Sequence, residues 1–381
     1  MRYKLGEICE IVSGSTPKTS VDEYWNGNIK WITPAEISDD TYIVEDSTKK
    51  ITELAVKKTG ISPFPTGTVL LSSRAPIGKV AIAGCEMYCN QGFKNLICSE
   101  RINNKYLYWF LKGNTEYLNS LGRGATFKEI SKGIVSEIEI DVPEVEEQKK
   151  TVENLERTNR LIKLHRQELE AFDNLIKARF VEMFGDPMYN SKGFELRKYG
   201  ELFELNAGGT PSKSKAEYWE GGTISWIGSN MCQNTYIYEN DGNYITEEGM
   251  AHSSARMFPI DTVLVALVGA TIGKTALLKF ETTTNQNVLG IRKIRENGYL
   301  PEFVFFYTQG LYQKFLNIGD GGFTMASKGF ISELPIPVVD INLQEEFSIF
   351  AEQVDKSKVA VQKALEQTQL LFNSLMQQYF G

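Results

Sequence analysis

Cysteine is scarce in this chain of 381 residues, and odd in number. Cys9, Cys85, Cys89, Cys98 and Cys232 cannot complete a disulfide framework, which fits reduced thiols and a cytoplasmic location. Histidine is scarcer: His165 and His252 stand alone, and Cys85-x-x-x-Cys89 has no second pair at zinc-like spacing. No metal site is therefore expected. No apolar run is long enough to span a bilayer, so no membrane partner is expected. The opening residues, Met-Arg-Tyr-Lys-Leu-Gly-Glu, lack the apolar stretch of a secretory signal. A Gly-x-Ser-x-Gly elbow is missing, and no nucleophile recurs beside a base, so no catalytic residue is assigned.

An excess of basic charge is also missing. The net charge is −7, which on its face argues against a nucleic-acid partner. Net charge governs solubility and non-specific binding, however, and not a local groove. Between Arg74 and Lys94, the cations Arg74, Lys79 and Lys94 face Glu86 alone. Between Arg256 and Lys293, Arg256, Lys274, Lys279, Arg292 and Lys293 face Asp261 and Glu281. These stretches are either basic faces on an acidic body or ordinary solvated surface. The hydrophobic content of 42% suits a soluble globular chain, and the length allows two or three domains.

What is present is repetition. Ser13-Gly14-Ser15-Thr16-Pro17 returns as Ala207-Gly208-Gly209-Thr210-Pro211, and Tyr24-Trp25 as Tyr218-Trp219. Ile77-Gly78-Lys79 returns as Ile272-Gly273-Lys274, and Asn90-Gln91 as Asn285-Gln286. Gln148 returns as Gln344, and Phe184-Gly185 as Phe380-Gly381, always about 195 residues on. That period is far longer than a solenoid repeat, so a whole domain-sized unit is duplicated.

Each copy opens with short apolar runs broken by turn residues, which predicts many short strands and a few helices. Lys105–Leu118 is one expected helix, with Gly113 its weak point. From Glu144 to Phe184 there is neither proline nor glycine. Leu155, Ile162, Leu169, Ile176 and Met183 there keep a seven-residue spacing. In the second copy Phe347, Phe350, Val354, Val361, Ala364, Leu371 and Leu375 follow a three-four alternation. Two long helices follow; either they pack on each other, or each covers the core of its own domain.

Gly269-Ala-Thr-Ile-Gly273-Lys274-Thr275 invites comparison with a phosphate-binding loop but is one residue short. The first copy, Arg74-Ala75-Pro76-Ile77-Gly78-Lys79-Val80, lacks the leading glycine and the magnesium-binding hydroxyl. Both fit a hairpin turn better. Asn90-Gln91-Gly92-Phe93 and Asn285-Gln286-Asn287-Val288 lack the prolines of an adenine-methyltransferase signature. Their amides either read base edges or cap turns.

In order and duplication, these motifs resemble the specificity subunit of type I restriction-modification enzymes. The likeness is carried by both Gly/Ser-Thr-Pro and Tyr-Trp pairs, by Pro143 leading through Glu147-Gln148, and by Ala178-Arg179-Phe180 through Met183-Phe184-Gly185-Asp186-Pro187. It covers the full length and implies a mixed α/β (α+β) fold. Two duplicated target recognition domains, 1–143 and 186–339, would be separated by long helices at 144–185 and 340–381 in an antiparallel coiled coil. Each domain would read half of a bipartite double-stranded DNA site. Two methyltransferase subunits and restriction subunits would be the protein partners. The assembled complex would be a site-specific deoxyribonuclease and adenine-N6 DNA methyltransferase. S-adenosylmethionine, ATP and magnesium would belong to those partners, with no cofactor in this chain. Under this reading Arg74, Lys79, Lys94, Lys213, Arg256 and Lys274 are phosphate or base candidates. Asn90, Gln91, Asn285 and Gln286 are base-edge candidates. The competing expectation is a duplicated protein-interaction scaffold that touches no DNA.

Overall fold

Short apolar strands such as Val69–Leu71, Val80–Ala83 and Val263–Ala266 form the buried centre of each half of the chain. The computed structural model describes residues 1–74, 76–124, 128–318 and 325–381. Ala75, within the first Ile-Gly-Lys turn motif, lies outside the described residues. Unit 1 comprises Met1–Arg166 with Lys363–Gly381, and unit 2 comprises Gln167–Gln362.

In unit 1 a five-stranded sheet runs in the order Cys9–Ser13, Lys94–Cys98, Val69–Leu71, Val80–Ala83, Ile43–Val44. In unit 2 the order is Glu204–Ala207, Val288–Arg292, Val263–Ala266, Thr275–Leu278, Thr235–Ile237. The two orders correspond strand for strand, and in both the last strand pairs parallel to its neighbour. A smaller sheet accompanies each: Lys49–Ile51, Trp25–Ile32, Tyr88–Cys89 in unit 1, and Tyr244–Ile245, Ile224–Ile227, Thr282–Thr284, Met257–Phe258 in unit 2.

Strand alternation divides the core into two layers. Val69, Leu71, Val80 and Ile82 face one cluster, while Leu70, Ala81 and Ala83 face another. Val263, Val265 and Leu277 separate in the same way from Leu264, Ala276 and Leu278. Burial on both faces explains why these runs are apolar throughout, without alternation.

A helix closes the first layer of each unit. Helix α1 (Asn104–Gly113) is capped by the Asn103 side chain, which accepts from Lys105 and Tyr106 N–H. The expected single helix breaks at Gly113-Asn114 and resumes at Thr115–Ser120. Two long helices follow the strand layer, α2 (Val145–Phe184) and, after α3 (Pro301–Gly310), α4 (Ile341–Phe380). Each is locked to its own unit by a fully buried glutamine. Gln148 accepts from Asn103 N–H at 2.8 Å and donates to Arg101 and Pro143 carbonyls at 3.0 and 2.8 Å. Gln344 repeats this with Leu300 N–H at 2.9 Å and the Gly298 and Val339 carbonyls at 3.3 and 3.0 Å.

Within unit 2 the helices run antiparallel: Asp173 pairs with Lys358 at 2.5 Å and Arg179 with Glu346 at 2.6 Å. Within unit 1, Asn154 donates to the Tyr379 hydroxyl at 3.0 Å. Both sequence-based alternatives for these helices are therefore present at once. Leu155 joins the unit 1 core, and Ile176, Phe347 and Val354 join the unit 2 core. Ile162 is buried, and Leu169, Met183, Phe350, Val361 and Leu375 are half-buried. Leu371 departs from the expected seam: it is 53% exposed, and Phe372 packs instead, against Trp109. A straight helix drifts by about 20° per heptad, which moves the inward position by a residue over this length. No helix among the described residues is long and apolar enough to cross a membrane.

Candidate nucleic-acid interface

The sheet register brings the repeated motifs to one edge of each unit. Ser13 pairs with Lys94, and Leu71 with Val80, so the loops beyond them share that edge. Backbone hydrogen bonds join the loops. Ser15 N–H meets the Cys89 carbonyl at 3.0 Å, Asn90 N–H the Ile32 carbonyl at 3.1 Å, and Ser73 N–H the Gly92 carbonyl at 2.7 Å. Ile130 N–H meets the Ser73 carbonyl at 3.0 Å. Unit 2 repeats the set. Gly209 N–H meets Thr284 at 2.8 Å, Asn285 meets Ile227 at 3.1 Å, Leu267 meets Asn287 at 2.8 Å, and Ala326 meets Leu267 at 2.9 Å.

The Gly-x-Thr-Pro loop crosses close over a strand end. A Cβ on Gly14 would lie 2.0 Å from the Cys89 carbonyl oxygen, and one on Gly208 would lie 2.3 Å from that of Thr284. Two perpendicular tryptophans hold each loop. Trp25 and Trp31 have ring centroids 5.2 Å apart and donate to the Lys18 and Ser15 carbonyls at 3.2 and 3.0 Å. Trp219 and Trp226, also 5.2 Å apart, donate to Ser212 and Gly209 at the same distances. The role of Trp31 and Trp226 is not evident from the motif pairs above. Their offset of 226 − 31 = 195 residues, matching that of the other motif pairs, was the available signal.

The site candidates fall into distinct environments. Asn90 and Asn285 cap turns, their Oδ1 atoms accepting Gly92 N–H at 2.9 Å and Asn287 N–H at 3.0 Å. Gln91 and Gln286 are exposed, and each accepts a hydrogen bond from the threonine of its own loop, Thr16 or Thr210. The Ile-Gly-Lys motifs close antiparallel hairpins, as the turn reading expects, with Gly78 at φ 93° and Gly273 at φ 73°. Lys79 donates to the Pro34 carbonyl at 3.1 Å, and Lys274 to Gln233 Oε1 at 2.8 Å. Both are half-buried at the edge.

Arg74 lies 3.8 Å from Glu129. Lys213 and Arg256 are exposed, and Arg256 donates to Asn206. Lys94 does not present its charge at the surface. It is 7% exposed, 3.1 Å from Glu129 and 3.3 Å from Ser73 Oγ, because its position on the strand turns the side chain inward.

Further cations at the same edge were missed by the sequence reading: exposed Lys18, Arg123, Lys128 and Lys132 in unit 1, and Lys328 in unit 2. Ser131-Lys132-Gly133 recurs as Ser327-Lys328-Gly329, so the duplication held this signal too. Ser131 and Ser327 cap the short helices that follow. Glu36 is occupied as the cap of Thr33 and Thr48 N–H, and Glu129 by Lys94 and Arg74. These two carboxylates are thereby engaged, while Lys18, Arg123, Lys128 and Lys132 stay exposed. Such an edge can engage phosphates through its cations and base edges through its amides. The thiol of Cys89 beneath it is pushed up to about 12 by burial and is inert. Among the described residues no cluster of histidine, cysteine and carboxylates could hold a metal.

Comparison with known proteins follows the same division. The family described as "Type I restriction modification DNA specificity domain" matches residues 1–172 and again 191–369. The Type I restriction enzyme MjaIX specificity subunit of Methanocaldococcus jannaschii is 28% identical over 83% of this chain and 80% of its own. The EcoR124I/EcoR124II specificity subunit of Escherichia coli is 28% identical over 49% of this chain and 48% of its own. The crystal structure of a type I S subunit from M. genitalium shares the fold, with TM-score 0.61 and 15% identity over 100% of this chain and 96% of its own.

Proposed function

The chain belongs to the type I restriction-modification DNA specificity family, and on that premise we propose that it is the non-catalytic DNA-reading subunit of such a system. Each unit reads one half of a bipartite double-stranded site with the edge built from its repeated loops. The observation that carries this reading is the duplicated edge, with the same backbone stitching but different side chains. The shared framework presents Arg74, Pro76 and Lys79 in one copy and Gly269, Ala270, Thr271 and Lys274 in the other. Unlike surfaces on like frames suit unlike half-sites.

Lys79, Lys274, Arg74, Lys213 and Arg256 are assigned to phosphates or guanine edges, and Gln91 and Gln286 to base edges. Asn90 and Asn285, committed to turns, shape the loop beside those glutamines. The long helices set the distance between half-sites and dock two methyltransferase subunits, to which restriction subunits add. S-adenosylmethionine, ATP and magnesium enter through those partners.

A gel-shift series tests the reading, using the chain with its methyltransferase partner and duplexes varied in one half-site at a time. Sequence-dependent retardation with two separable half-sites is expected. Partner binding without retardation of any duplex would leave only the scaffold alternative.

A further inference from the structure

In unit 1 two of the five cysteines face each other across adjacent strands. Cys9 opens the edge strand of the five-stranded sheet, Cys98 closes its neighbour, and the antiparallel register sets them directly opposite. The flanking hydrogen bond shows which kind of pair they form. Ser99 N–H donates to the Ile8 carbonyl at 3.0 Å, so Ile8 and Ser99 are a hydrogen-bonded pair. The two kinds alternate along an antiparallel ladder. Cys9 and Cys98 are therefore a pair of the other kind, in which Cα atoms lie about 4.5 Å apart and side chains approach most closely. A disulfide accepts Cα separations of about 4.4 to 6.8 Å. The two side chains also share a face: Cys9 belongs to the unit 1 core and Cys98 packs against it. Both thiols are free.

The two sulfurs differ in access. Cys9 is 7% exposed, whereas Cys98 is half-buried and is followed by exposed Ser99 and Glu100. The Cys98 thiol alongside, and burial, push the Cys9 thiol above its ordinary range and keep it protonated. Cys98 is the sulfur that a dissolved oxidant can reach, and Cys9 waits behind it. The other unit 1 thiols are engaged elsewhere. Cys85 Sγ meets Lys30 Nζ and the Glu45 carbonyl, each at 3.2 Å, and Cys89 Sγ accepts from Asn95 at 3.1 Å. Unit 2 has no such pair. Extending its register by one step places Phe203 opposite Lys293 at the equivalent positions.

We propose that Cys9 and Cys98 are a reversible modification site, at which a hydroperoxide joins them in a disulfide that locks strand Cys9–Ser13 to strand Lys94–Cys98. The Cys98 sulfur, having given its proton to solvent, attacks one oxygen of the hydroperoxide. A sulfur–oxygen bond forms and the oxygen–oxygen bond breaks. The departing oxygen takes up a proton and leaves as water or an alcohol, and Cys98 is left as a sulfenic acid. The Cys9 sulfur then attacks the Cys98 sulfur. The sulfur–sulfur bond forms, the sulfur–oxygen bond breaks, and the hydroxyl leaves as water with the Cys9 proton. The thiol pair is oxidised by two electrons and the hydroperoxide is reduced by two. A dithiol reductant restores both thiols by exchange. The lock is confined to unit 1, at the end of the strand away from the Gly14 loop.

The test uses the full chain, hydrogen peroxide and then dithiothreitol. Peroxide should remove two of the five thiols and lower the mass by about 2 Da, the two hydrogens given up. Dithiothreitol should reverse both changes. Proteolytic fragments of the oxidised, unaltered chain should join the peptide of Cys9 to that of Cys98 until reductant is added. With Cys9→Ala, oxidation should stop at the Cys98 sulfenic acid, which dimedone traps as an adduct on that residue. With Cys98→Ser, neither the disulfide nor that adduct should form. Melting curves check that the variants fold, and the fragment map decides the pairing even where a variant does not. Amide exchange in strand Cys9–Ser13 should slow about tenfold or more on oxidation, and exchange in strand Glu204–Ala207 should stay as it was. Neither readout involves DNA. Five thiols surviving peroxide, a bridge between other cysteines, or a covalent dimer on a non-reducing gel each overturns the proposal. So does a Cys9–Cys98 disulfide that leaves exchange in its own strand unaltered.

Discussion

Lys79 and Lys274 occupy equivalent turns but are tethered differently, one to a backbone carbonyl and the other to the Gln233 side chain. Replacing Lys79 by alanine should weaken binding through the first half-site. If its ammonium meets phosphate, affinity should fall similarly across sequences, and the salt slope should drop by about one. If it meets guanine, discrimination at one base pair should relax by about 1–3 kcal/mol. Titration of duplexes at several salt concentrations separates the two, and unchanged binding would remove this turn from the interface. Gln148 makes a different demand. Gln148→Ala would strand a buried N–H and two carbonyls and should cost about 1–3 kcal/mol, seen as a lower denaturant midpoint.

Residue roles were unevenly legible. The turn at Gly78-Lys79 could be read because glycine and flanking apolar runs act locally. The inward aim of Lys94 could not, because it depends on Glu129, 35 residues away in sequence. Of the two readings open for Asn90 and Asn285, turn capping is seen in the hydrogen bonds that their Oδ1 atoms accept.

The long elements carry the second set of expectations. Leu155 is fully buried in the unit 1 core while Leu371 is 53% exposed, although both fit the seam pattern. Leu155→Ala should cost about 2–5 kcal/mol. Leu371→Ala should stay within about 0.5 kcal/mol. Equal losses on chemical denaturation would show that the pattern, and not the observed burial, describes the helices. Inserting seven residues midway through both α2 and α4 should lengthen the gap between half-sites and leave their bases unchanged. Two helical turns add about 10 Å, close to three base pairs. Methylome sequencing of cells carrying the altered system reads the new spacing directly. Helix existence was plain from the absence of proline and glycine. The helix faces were not, since each helix serves a domain core over part of its length and a partner helix over another.

At the scale of the molecule, two sheets with one strand order hold two unlike edges. Exchanging residues 1–143 for the matching part of a relative should alter one half-site and spare the other, as judged on duplexes varied half by half. A change in both would overturn modular reading. The duplication was the most legible property of the chain, because offsets survive where individual residues diverge.

The stitching of each edge by main-chain hydrogen bonds has an evolutionary consequence. Ser73, Gly92, Ile130 and their unit 2 counterparts hold the loops whatever side chains project from positions 74, 76 and 79 or 269–271 and 274. Mutation there is largely uncoupled from folding, so under the proposed DNA-reading role a lineage can drift from one DNA word to another through intermediates that all remain native. A library randomised at those positions should yield mostly soluble, cooperatively melting proteins whose target preferences scatter, whereas the same diversity at the Gly14 and Gly208 crossings should yield mostly insoluble ones.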